Sequence, residues 1–196
     1  MHGWAAWKLG DNTAKAQGRL SFNPLKHIDP FGTVVLPLLL IIMGGPVFGY
    51  AKPVPYNPAN FKNPRRDDLL VGLAGPSGNL VLALVGAALM YGLQSMYTNT
   101  APEIFIYFYG VFLPIFIMVN LYLMFFNLLP IPPLDGSSIF AFLLPEKYLP
   151  QYYRTQQYAL PVFLIVIFVL PYLIHVNLIS MYLNVTAGNL ATLLIP

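Results

Sequence analysis

The sequence predicts an all-α integral membrane protein with three to four transmembrane helices, a re-entrant or broken apolar segment and short membrane-surface strands. Three observations predict it. The 196 residues are 57% hydrophobic and only 9% charged, with a mean hydropathy of +0.65, against a charged share of about 25% in soluble domains. Long uncharged runs recur, each near the roughly 20 residues with which a helix crosses a hydrocarbon core of about 30 Å. Nineteen prolines and 15 glycines interrupt this apolar chain, so some hydrophobic segments are broken. The length fits a single membrane-embedded domain over residues 1–196, at about 150 residues per domain. The net charge of +3 is too small and scattered for a nucleic-acid footprint. The expected surroundings are therefore a lipid bilayer, with no nucleic-acid partner. The absence of cysteine excludes a disulfide scaffold, a thiol nucleophile and a Cys-based zinc site.

Taken in order, residues 1–31 read as the end of a helix, a polar turn and a surface strand. No basic stretch followed by an apolar core opens the chain, so a secretory signal is not expected. Instead Trp4-Ala5-Ala6-Trp7 reads as mid-helix, and Gly10 stands where a helix C-cap belongs. Arg19 to Asn23 alternates in polarity and reads as a strand. Residues 32–50 are apolar but carry Pro37 and Gly44-Gly45-Pro46. They read as a broken span or re-entrant hairpin, with a short tilted helix as the alternative. Residues 51–57 alternate around Pro53-Val54-Pro55-Tyr56 and read as a second surface strand. Residues 69–95 and 104–129 hold no charge, and 158–183 is apolar except for His175. These three read as transmembrane helices. Gly75-Pro76-Ser77-Gly78-Asn79 marks close helix packing through small residues.

Charge sets the topology. Lys52, Lys62, Arg65 and Arg66 precede residue 69, and Lys147 and Arg154 lie between the last two spans, whereas 97–103 and the C-terminal tail have no Lys or Arg. Cytoplasmic loops carry the excess of Lys and Arg. The expectation is an integral membrane protein with 51–68 and 144–157 cytoplasmic, and with the loop near Glu103 and the C-terminus outside.

Six of the seven acids sit in loops. Asp135 does not: it follows Asn127-Leu-Leu-Pro-Ile-Pro-Pro-Leu between two apolar runs. Pro130, Pro132 and Pro133 forbid a regular helix there, so a carboxylate and an Asn amide lie on broken backbone at the edge of a hydrophobic helix. An ionisable group at that depth is a functional-site candidate, and a metal or catalytic water would offset its desolvation. The alternative is that Asp135 caps the helix that begins near Gly136. His2 opens an apolar helical stretch. His27 and Asp29 would point the same way on a strand and could hold a metal, or they fix a turn before Pro30. His175, deep in the last helix, reads as a neutral imidazole bonded to a neighbouring helix.

Asn127-x-x-Pro130-x-Pro132-x-x-Asp135-Gly136 resembles the second motif of the site-2 protease family of intramembrane zinc metalloproteases, in its compact prokaryotic branch. Gly10-Asp11-x-Thr13-Ala14, Gly18-Arg19-Leu20, Asn23-Pro24-Leu25-Lys26-His27-Ile28-Asp29-Pro30 and Gly75-Pro76-x-x-Asn79 also match, in the right order. That family's first motif is His-Glu-x-x-His on a helix, two zinc ligands on one face and a Glu as general base. The resemblance makes His2 the second His of that motif, so the first His and the Glu would lie before Met1. It implies Zn2+ held by two His and one Asp, of which this chain holds His2 and Asp135, with Asn127 binding the substrate backbone or the developing oxyanion. The implied activity is hydrolysis of peptide bonds in transmembrane protein substrates near the cytoplasmic face. The two expected strands, 19–23 and 51–57, add a hypothesis of their own: an edge that holds an unwound substrate by strand addition. The chain alone, as an N-terminally truncated form, is expected to be inactive. The alternative is a non-catalytic relative that binds transmembrane segments, and the reading frame upstream of Met1 would discriminate the two.

Overall fold

A computed structural model describes residues 1–21, 23–42, 54–98 and 100–196, with the side chains of Pro24 and Phe168 left aside. Two compact units divide the chain, residues 1–71 and 72–196.

In the first unit, α1 (His2–Lys8) ends in a glycine-stopped turn. Gly10 takes φ +108°, a left-handed geometry that favours glycine. Asp11 N donates to Ala6 O at 2.9 Å and Gly10 N to Trp7 O at 3.2 Å; this paired closure satisfies carbonyls that the helix end leaves open. A one-turn helix α2 (Thr13–Ala16) follows. Asp29 then accepts from Gly32 N at 2.7 Å and caps a wide turn, Pro30–Val35, that runs on into α3 (Leu36–Ile42). Residues 43–50 of the expected broken segment lie outside the described residues. The unit's core is Ala6, Phe61 and Val71, with Ala5 and Leu9 against them.

The longest helix, α4 (Pro64–Leu93), contains the boundary between the units. Proline at its first position costs no hydrogen bond, because that N–H has no helical partner. Buried Asp67 reaches back to Asn63 N at 3.1 Å, a negative group at the positive end of the helix.

The second unit continues α4 into α5 (Glu103–Tyr107), a wide turn at Phe108–Phe112, and α6 (Leu113–Asn127). An irregular loop leads to α7 (Ser137–Leu143), then α8 (Leu149–Thr155), α9 (Ala159–Leu164), α10 (Leu170–Ile174), α11 (Leu178–Leu183) and α12 (Asn189–Leu194). Its core pairs small residues with large ones. Ala83 and Ala87 on α4, and Ala187 and Ala191 near the C-terminus, pack with Leu113, Ile117 and Leu121. Each set repeats every four residues and so lines one helix face. A Cβ at Gly86 would stand 2.9 Å from Ile117 Cγ1, so glycine permits that approach, as small residues do between membrane helices.

Among the described residues, three helical runs are long and apolar enough to cross a membrane: Pro64–Met96, Glu103–Asn127 and Glu146–Ile174. The expected strands are corrected. Among the described residues there is none; residue 22 of the first and residues 51–53 of the second lie outside them. Residues 19–21 and 23–27 bond to one another instead. Arg19 Nη1 donates to Lys26 O, His27 Nε2 to Ser21 O at 2.9 Å, and Asn23 Oδ1 accepts from Leu25 N at 3.0 Å. Side-chain bonds of this kind compete with a ladder. At 54–57, Pro55 has no N–H to donate to one. The helix expected over 158–183 also differs. It ends at Ile174, where His175 is exposed and left-handed with φ 52°, and a new helix starts at Leu178. His175 is thus a helix stop on the surface rather than a buried interhelical imidazole.

Candidate metal centre

In the first unit, His2 sits in the first turn of α1. Its Nδ1 lies 2.8 Å from the carbonyl of Val71, 69 residues away. A carbonyl only accepts, so Nδ1 carries the proton. In the neutral ring the lone pair then lies on Nε2. A ring N–H committed to a backbone carbonyl is the usual support of a metal-binding imidazole.

The C-terminal end of α1 is fastened as well. Asp11 is fully buried. Its carboxylate accepts from Thr13 Oγ1 at 2.6 Å, Thr13 N at 3.2 Å, Asn57 N at 3.1 Å and Asn60 Nδ2 at 2.6 Å. Burial pushes its pKa up. The hydrogen bonds from Thr13, Asn60 and Asn57 outweigh burial and hold the carboxyl below its ordinary value. His27 and Asp29 fasten the turn before Pro30, His27 through Ser21 O and Asp29 through Gly32 N.

In the second unit, Asn127 closes α6. Its Nδ2 donates to Leu123 O at 2.8 Å, leaving a second N–H on the same nitrogen. Its backbone carbonyl accepts from Gly136 N at 2.6 Å, so the proline-rich loop returns to its starting point. Within the loop, Leu134 N bonds Ile131 O at 2.9 Å. Half-buried Asp135 comes just before Gly136, which occupies the capping position of α7. Its carbonyl accepts from Ser138 N at 3.1 Å and Ser138 Oγ at 2.7 Å. From outside, Tyr152 Oη donates to Ser137 O at 3.1 Å. The loop therefore gathers Asn127 and Asp135 at one end of α6.

Among the described residues no three His, Cys, Asp or Glu side chains form a metal-binding group. The two donors the resemblance implies are still of the right kind. Zinc takes imidazole nitrogen and carboxylate oxygen, and His2 and Asp135 carry those two kinds of donor. The Val71 carbonyl, Ser138 and Asp11 were not singled out from sequence as parts of this arrangement. The Gly10-Asp11-x-Thr13 match was the available signal for Asp11; a backbone carbonyl has none.

The chain is similar to known proteins. The family model described as Peptidase family M50 matches residues 104–170, the stretch that holds Asn127 and Asp135. "Putative zinc metalloprotease YwhC" of Bacillus subtilis (strain 168) is 46% identical over 144 residues, 74% of this chain and 62% of YwhC. "Putative zinc metalloprotease Rip2" of Mycolicibacterium smegmatis is 36% identical over 135 residues, 69% of this chain and 48% of Rip2. The matched part of the chain thus spans between 48% and 62% of the length of these two relatives. No solved structure matches. These matches place the chain with the site-2 proteases, Peptidase family M50.

Proposed function

We propose that this chain carries part of the active site of an intramembrane zinc metalloprotease, which hydrolyses peptide bonds of transmembrane substrates near the cytoplasmic face. His2 Nε2 and the Asp135 carboxylate are ligands of one Zn2+. Asn127 Nδ2 donates to the substrate backbone or to the oxyanion that develops at the scissile carbonyl. When bound, zinc supplies Lewis-acid polarisation of that carbonyl and activation of water for attack. The Val71 carbonyl fixes the tautomer and orientation of His2, and the proline-broken loop ends the helix at Asn127 and keeps Asp135 outside it. The observation that supports the reading is the His2 Nδ1 to Val71 O bond of 2.8 Å, a bond of the kind that orients metal-binding imidazoles.

The further His and the general-base Glu implied by the family motif are not in residues 1–196. Expressed alone in detergent, these residues are therefore expected to bind zinc weakly and to leave a transmembrane substrate uncut. His2→Ala and Asp135→Ala should each weaken zinc binding further, by at least about tenfold, in a competition titration against a chromophoric chelator. Unchanged affinity in either variant would sink the ligand assignment. Robust cleavage by residues 1–196 alone would sink the placing of the general base outside them.

A further inference from the structure

We infer that Gly72 is a positioning residue for Asp135. In the second unit the backbone of α4 at Gly72 presses on the turn that carries this acid. A Cβ built on Gly72 would overlap Ser138 Oγ, lie 2.9 Å from Ser138 Cβ and stand 3.0 Å from the carbonyl oxygen of Asp135. Gly72 and Ser138 are both buried, so neither neighbour has open space to move into. Ser138 is also the residue whose N and Oγ both hold the Asp135 carbonyl. A methyl group at position 72 therefore strikes the Asp135–Ser138 clamp itself. Interiors packed to crystal-like density transmit such a displacement instead of absorbing it. Ser138 completes the device: its hydroxyl fills the space the missing side chain leaves and fixes the peptide from which the Asp135 side chain projects. Glycine at 72 thus sets where the carboxylate stands without touching a substrate or a metal.

The inference rests on Asp135 being a metal ligand, and the test separates the two. Gly72→Ala, Ser138→Gly, the double variant and Asp135→Asn are compared with the parent chain in detergent. Zinc affinity is read by chelator competition, and the metal-free Tm is read in parallel. Gly72→Ala should weaken zinc binding at least about tenfold, as loss of an outer support does. Ser138→Gly removes both overlapping atoms, so the double variant should bind zinc within about twofold of Ser138→Gly alone, the tolerance for sites that have stopped interacting. A purely structural role would lower the metal-free Tm of Gly72→Ala and leave its zinc affinity at the parent value, and that result overturns the inference. A double variant no better than Gly72→Ala, or one that fails to fold, also overturns it. Asp135→Asn with parent affinity overturns the ligand reading itself. If Gly72→Ala alone fails to fold, recovery of fold and affinity in the double variant supports the steric origin.

Discussion

Asp11 shows what one side chain does in this protein. A carboxylate with no exposed surface loses its hydration, and four donors replace the lost water. The four contacts reach three residues, Thr13 two positions on and Asn57 and Asn60 just before α4. Asp11→Asn keeps the shape but swaps one acceptor oxygen for an NH2 group, which turns donors toward donors. That change should cost about 1–3 kcal/mol, read as a lower Tm of the detergent-solubilised protein; an unchanged Tm would contradict the account. Acidity gives a second reading. Because the folded pKa lies below the ordinary value, the contribution of Asp11 is complete above about pH 4. It is lost as the pH falls through the folded value. The parent should lose stability along that acid limb, and Asp11→Asn should lose less there.

The loop between α6 and α7 makes the same case for an element. Three prolines remove N–H donors, and the chain compensates by closing Gly136 N onto Asn127 O. The closure is so tight that a Cβ on Gly136 would overlap the carbonyl oxygens of Leu128 and Leu129. Those obstacles are backbone, which has no rotamer to change. Gly136→Ala should destabilise by about 1–3 kcal/mol or more, visible as a fall in Tm, and a parent-like Tm would mean that the loop is looser than described. Along α4, Pro76 supplies no N–H to the carbonyl of Gly72, four residues earlier, yet the helix runs on to Leu93. The element types were readable wherever the signal was local. The Gly10 stop, the turn at Asp29 and the proline break before Asp135 all follow from residues within a few positions of one another. The strand at 19–23 misled because alternating polarity is also produced by a loop whose side chains bond its own backbone, and His27 to Ser21 O is a bond of that kind. The single helix over 158–183 misled because hydropathy does not register a left-handed residue, and His175 is one.

At the scale of the molecule, three helical runs among the described residues are long and apolar enough to cross a membrane, and the charge asymmetry of the loops predicts their orientation. The lack of any native cysteine makes the orientation directly measurable. In intact expressing cells, Thr98→Cys should react with a membrane-impermeant maleimide, whereas Gln151→Cys should react only after permeabilisation. The reverse pattern would invert the topology. The sequence by itself determined the membrane class, the apolar runs, the proline-broken turn and the resemblance that points to His2 and Asp135, because composition, period and motif are written in neighbouring side chains. Only the tertiary structure decided which nitrogen of His2 is protonated and which atoms brace Asp135. Those answers depend on the carbonyl of Val71 and on a side chain missing at Gly72. A backbone oxygen and an absent methyl group leave no mark in the sequence until folding brings a distant partner against them.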